Sequence, residues 1–153
     1  MRTKQSLGKK TSGLMSPNRL NELTILVVED HDDARRYLGL FLGHLGANVV
    51  LASDAYTALE AVKTHRPNLV ISDISMPGRD GFGLLKDIRS LGPEAGGNVP
   101  VIAMTALVRP ADRDRMLEAG FQACLPKPFS PDKLVETILT VLDGDALGSA
   151  VDL

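Results

Sequence analysis

The chain has 153 residues, 44% apolar and 24% charged, with a formal net charge of -2. That length suits one domain with a sizeable core, and the near-neutral balance excludes a molecule-wide electrostatic footprint for nucleic acid. The one cysteine, Cys124, excludes an internal disulfide, and no apolar run approaches the ~20 residues of a membrane span.

In chain order, residues 1–22 read as a disordered basic arm. Arg2, Lys4, Lys9, Lys10 and Arg19 face only Glu22, with Ser, Thr, Gly and Asn between them. The start is polar and basic, without the apolar stretch of a signal peptide. With a single cysteine, this suits a reducing cytoplasm. Thr24-Ile25-Leu26-Val27-Val28 predicts a buried strand over 24–29. A helix over 32–45 follows, with Ala34, Leu38, Phe41 and Leu45 at helical spacing and Gly46 as its stop. Residues 48–52 predict a short strand. Ser53 is the expected cap of a helix that runs through Thr64 and ends before Pro67. A third strand over 68–73 leads to a helix over 81–91, with Phe82, Leu85 and Ile88 inward. After a Gly-rich loop, Leu91 to Asn98, a fourth strand covers 99–104 and a short helix 111–119 stops at Gly120. A fifth strand over 121–125 precedes a helix capped by Ser130, with Pro131 at its first position and Leu134, Ile138, Val141 and Leu142 toward the core. Residues 143–153 read as a flexible tail, leaving one domain over 23–142.

This is (βα) five times. Continuous apolar strands with helical crossovers imply an α/β fold with a doubly wound, parallel five-stranded sheet. The flavodoxin-like order 2-1-3-4-5 is the common arrangement at this size. It sets the first and third strands side by side, so Glu29 and Asp30 converge with Asp73 at the C-terminal edge of the sheet, where ligands bind in such folds. Thr105 and Lys127 end later strands at the same edge. Clustered carboxylates repel unless a cation joins them, and hard cations take oxygen ligands.

At these positions the chain resembles the receiver domains of two-component response regulators, from about Leu23 to Leu142. The resemblance is carried by Val27-Val28-Glu29-Asp30, Ile71-Ser72-Asp73 with Met76-Pro77-Gly78, Asp80-Gly81, Met104-Thr105-Ala106 and Lys127-Pro128-Phe129. It implies a flavodoxin-like phosphoacceptor module rather than an enzyme, at most catalysing its own phosphorylation and dephosphorylation. Asp73 would accept a phosphoryl group from a histidine kinase or histidine phosphotransfer protein. Asp30, Asp73 and the carbonyl of Ser75 would bind Mg²⁺ or Mn²⁺, with Glu29 acting from further out. Thr105, Lys127 and the amides of Ser75 and Ala106 would hold the phosphoryl oxygens. Pro128 occupies the family's cis-proline position. Phosphorylation would switch the surface around the fourth helix and fifth strand. The implied protein is cytoplasmic, touches neither nucleic acid nor membrane, and has an unknown downstream partner and a weak homodimer left open.

Each residue also has a plainer reading. Glu29 and Asp30 could join Asp32 and Asp33 as helix N-terminal acids, Asp73 could cap a turn, Lys127 could be a solvated charge and Thr105 a turn hydroxyl. Their joint occurrence in order favours the functional reading. His31, His44 and His65 offer no metal-ligand spacing, and Cys124 reads as a small buried hydrophobe. Two residues depart from the family. Cys124 stands where an aromatic ring usually accompanies the switch, and Leu107 puts an apolar group two residues past Thr105. Among rival functions, an aspartyl phosphatase would want an acid where Ser75 stands. A flavin or nucleotide site would want Gly, Ser or Thr where Glu29-Asp30-His31-Asp32-Asp33 stands. A degenerate scaffold would not need the full acid, Thr and Lys set. The sequence is compatible with a standalone regulator or with part of a hybrid histidine kinase.

Overall fold

A computed structural model describes residues 18–107 and 109–144. Five parallel strands form one sheet in the order β2-β1-β3-β4-β5, the order expected from the sequence. They are β1 (Thr24–Val28), β2 (Asn48–Ala52), β3 (Leu69–Asp73), β4 (Val101–Thr105) and β5 (Ala123–Pro126). Among the described residues five helices connect or follow them: α1 (Asp32–His44), α2 (Ala55–His65), α3 (Gly81–Arg89), α4 (Pro110–Ala119) and α5 (Pro131–Asp143). Every residue of β3 and β4 is buried, as central strands covered on both faces must be. β2 lies at the edge, and only its last residue, Ala52, is buried.

Register fixes the functional edge. Val28 pairs with Ser72, Asp73 with Met104, and Thr105 with Pro126. Glu29 and Asp30 therefore leave β1 beside Asp73, while Lys127 leaves β5 beside Thr105. The Lys127 amide donates to the Thr105 carbonyl at 2.7 Å, and the Ile74 amide to the Met104 carbonyl at 3.0 Å, which ties these exits together.

Several local expectations shift. Asp54, not Ser53, caps α2, accepting from the Thr57 amide at 2.8 Å; both residue types cap helices, and α2 begins one residue later than a Ser53 cap requires. α3 buries Leu84 with Leu85 and Ile88, whereas Phe82 is half-buried, edge-on to Phe121 at 5.6 Å with Arg115 over its face. In α1 it is Leu38 and Leu42 that are buried, joined by the cap residue Leu45; Phe41 is half-buried and stacks on Tyr37. The loop after α3 contains a 3-10 turn, Pro93–Ala95. Arg89 pins that loop by donating to the carbonyls of Gly97 and Val99 and to Gln122 Oε1. Ser130 caps α5 with Pro131 in its first turn, as predicted.

Residues 1–17 and 145–153, which carry most of the predicted arm and tail, lie outside the described residues. The end of the predicted arm belongs to the fold. Leu20 is fully buried in the core, and its amide donates to the Leu45 carbonyl at 2.8 Å.

Candidate functional site

The site is built where the chain leaves β1, β3, β4 and β5. Glu29 and Asp73 are 1% and 5% exposed, so their charges are largely removed from water. Such acids need partners. Lys127 supplies one to both, its Nζ lying 3.2 Å from Glu29 Oε1 and 3.3 Å from Asp73 Oδ2. The Lys127–Pro128 peptide is cis. The Ser75 amide points at Asp73 Oδ1 from 3.4 Å, a long contact. Thr105, itself buried, accepts the Leu107 amide on Oγ1 at 2.8 Å, which leaves its hydroxyl proton to donate elsewhere. Ala106 follows it at the exposed rim.

Electrostatics separates the two buried acids. Burial pushes the Asp73 carboxyl up, and the Glu29 charge adds to the effect; Lys127 and the Ser75 amide offset only part of it. Burial acts on Glu29 in the same sense. There the His31 amide and ring, with Lys127, outweigh it and hold the carboxyl below its usual value. Burial pulls Lys127 down, but Asp73 and Glu29 outweigh that and raise it.

The structure adds residues that sequence reasoning passed over. The His31 ring reaches Glu29 Oε2 at 3.1 Å and raises its own pKa through that bond and the Asp30 charge. The absence of a histidine pair hid it. Arg35 Nη1 donates to the Glu29 carbonyl at 2.9 Å and Nη2 to Asp32 at 2.7 Å, clamping the turn after β1. Gly81 sits against the backbone of Asp73. A Cβ there would lie 2.6 Å from the Asp73 carbonyl oxygen, so a larger residue would displace the turn after β3.

The donors suit a hard divalent cation. Glu29, Asp30, His31 and Asp73 each offer a ligand atom within 4.8 Å of the others. Asp30 Oδ1 is buried without a hydrogen-bond partner, an arrangement that a bound cation would satisfy.

The family model described as the response regulator receiver domain matches residues 25–139. The chain belongs to the response regulator receiver domain family. It is 39% identical over 119 residues to the 14.6 kDa protein of the sodA1 3′ region of Leptolyngbya boryana, covering 78% of this chain and 89% of that one. It is 37% identical over 118 residues to the sensor histidine kinase RcsC of Escherichia coli K12, covering 77% of this chain but 12% of the kinase. The receiver domain of the Francisella response regulator 1452 superposes with a TM-score of 0.72 at 27% identity, covering 80% of this chain and 98% of that one. The chain thus spans almost the full length of one curated relative and about an eighth of another. Receiver domains are signalling modules that take phosphoryl groups from histidine kinases and generally bind Mg²⁺ in an acidic pocket, and this receiver has an acidic cluster of Glu29, Asp30 and Asp73. Among the described residues no helix is long and apolar enough to cross a membrane.

A stability consequence follows from the crowded acids. An acid whose folded pKa is raised costs stability above that pKa and nothing below its unfolded pKa. Asp73→Asn should therefore melt higher than wild type at neutral pH without metal. A relief on the order of 1 kcal/mol would be about 2–4 °C, vanishing as pH falls toward the ordinary carboxylate range. Calorimetry across that range checks this; a variant that melts lower at neutral pH contradicts the assignment of strain to Asp73.

Proposed function

We propose that Asp73 is the phosphoacceptor of this receiver and that phosphorylation depends on Mg²⁺ or Mn²⁺ held by Asp30, Asp73 and the Ser75 carbonyl, with Glu29 behind them. The observation that carries this reading is the juxtaposition of buried Asp73 with Glu29 and Lys127, both within ion-pair reach of one lysine nitrogen. A divalent cation bound there would neutralise charge between the acids and the incoming phosphoryl oxygens. An Asp73 carboxylate oxygen attacks phosphorus and forms an acyl phosphate. The bond from phosphorus to the donor histidine nitrogen breaks, and its electron pair stays on the imidazole, which takes a proton from solvent. Lys127 then trades its carboxylate contact for a phosphoryl oxygen. Thr105 donates its free hydroxyl proton to another, and the Ser75 and Ala106 amides take up further charge. The phosphodonor, a histidine kinase or phosphotransfer protein, covers the mouth of the site. An apolar cleft of about 450 Å³, lined by Tyr37, Leu38, Pro128 and Phe129 beside Lys127, offers it a surface.

Incubation with acetyl phosphate tests the proposal: one phosphoryl mass is added with Mg²⁺ and none with a chelator. Incorporation in the chelator counts against the metal role, and no incorporation under either condition counts against Asp73 chemistry.

The switch is proposed to run through Thr105 into residues 105–120. Thr105 gains a charge-assisted hydrogen bond only in the phosphorylated state, which biases the loop and α4. Cys124, 2% exposed in β5, supplies no ring to follow that movement. Beryllofluoride should change hydrogen exchange in the measurable part of 105–120 and leave β5 less affected. An unchanged α4 would place the response on another surface.

A further inference from the structure

His31 stands at the N-cap position of α1 without a side-chain cap bond, and its backbone amide already holds Glu29 Oε2 at 3.0 Å. The ring is therefore not needed to fix that carboxylate, yet Nδ1 lies 3.1 Å from Glu29 Oε2 and 3.6 Å from Asp30 Oδ1. Around a six-coordinate ion with bonds of ~2.1 Å, adjacent donors stand roughly 3.0 Å apart and opposite donors roughly 4.2 Å apart. The donor atoms of Asp30, His31 and Asp73, with Glu29 behind them, lie within 4.8 Å of one another, close to that spacing. The His31 side chain is 76% exposed, so the ring has room to turn, while Asp30 Oδ1 beside it is buried without a hydrogen-bond partner.

We propose that His31 contributes an imidazole nitrogen to this centre, so that the site prefers first-row divalent transition ions over Mg²⁺ more strongly than its carboxylates alone would. The proposal rests on the reading of the acid pocket as the metal centre. Imidazole adds little to a hard ion such as Mg²⁺ and progressively more from Mn²⁺ to Ni²⁺, so one nitrogen donor changes the ratio of affinities more than the Mg²⁺ affinity itself. The identity of the available metal would then modulate how readily this receiver is phosphorylated.

Two measurements on the full chain test this, with Mn²⁺, Ni²⁺ and Mg²⁺ as probes. Pulsed EPR of the Mn²⁺-loaded protein should show nitrogen hyperfine coupling from a directly bonded imidazole, absent in His31→Gln. In competition titrations His31→Gln should lower the Ni²⁺-to-Mg²⁺ affinity ratio by about tenfold or more while leaving Mg²⁺ affinity nearly unchanged. Asp30→Asn should weaken all three ions. Mn²⁺ bound without nitrogen coupling, coupling that persists in His31→Gln, or an unaltered ratio overturns the role of His31 and leaves the carboxylate centre standing. Failure of Mg²⁺ and Mn²⁺ to bind wild type overturns the metal-centre reading and the proposal with it.

Discussion

Asp73→Asn should abolish phosphoryl incorporation, because the amide oxygen is a far weaker nucleophile than a carboxylate and cannot give an acyl phosphate. The fold should survive the change. Asn is nearly isosteric, and loss of one buried charge relieves the crowding with Glu29 that raises the Asp73 pKa. Loss of labelling and a gain in metal-free stability therefore come from one substitution, and together they separate a chemical role from a structural one. Intact-mass measurement after acetyl phosphate and Mg²⁺ checks the first half. Labelling of the variant at the wild-type level would contradict the assignment.

Lys127→Ala is the second large effect. Lys127 is the shared cation of Glu29 and Asp73, both nearly inaccessible to solvent. Removing it leaves two close carboxylates without that countercharge. Breaking a fully buried pair costs about 3–5 kcal/mol; with the lysine side chain 32% exposed, water reduces this to about 1–3 kcal/mol. The sign with pH is definite. Without Lys127 both folded carboxyl pKa values rise, so the penalty is full at neutral pH and fades as acidification protonates the acids. Mg²⁺ should recover part of the loss in melting temperature by binding the folded form. Phosphorylation should slow by about 10²-fold, the usual cost of removing one preorganised stabiliser of developing charge. Melting curves with and without Mg²⁺ at several pH values, with initial rates of labelling, check these expectations. A penalty independent of pH would show that Lys127 acts by packing alone.

The central strands were legible because Leu69–Asp73 and Val101–Thr105 are short apolar runs buried on both faces. Crossover handedness narrows the topologies to a few, the order 2-1-3-4-5 is the common one at this size, and the convergence of Glu29, Asp30 and Asp73 follows from it. The acid and lysine cluster was legible for the same reason: each residue marks where a strand stops. What the sequence concealed depends on packing and on local turn geometry. Leu20 sits in a polar, basic stretch, and only its burial and its amide bond to the Leu45 carbonyl show that it belongs to the core. Asp54 and Ser53 are neighbouring candidates for one cap, and propensity alone does not choose between them. His31 directly follows Glu29 and Asp30; what the sequence does not show is that the turn held by Arg35 sets its ring 3.1 Å from Glu29 Oε2. The demand for Gly81 arises from the Asp73 carbonyl eight residues earlier, visible only once β3 and α3 are packed.

The measurement closest to the central claim is the position of the phosphoryl group itself. Borohydride reduces an acyl phosphate to an alcohol, so a phosphorylated aspartate becomes homoserine and can be located by peptide mass. Wild-type protein treated with acetyl phosphate and Mg²⁺, then borohydride, should yield homoserine at position 73 and nowhere else. Homoserine at position 30, or phosphorylated protein with position 73 unmodified, would contradict the account.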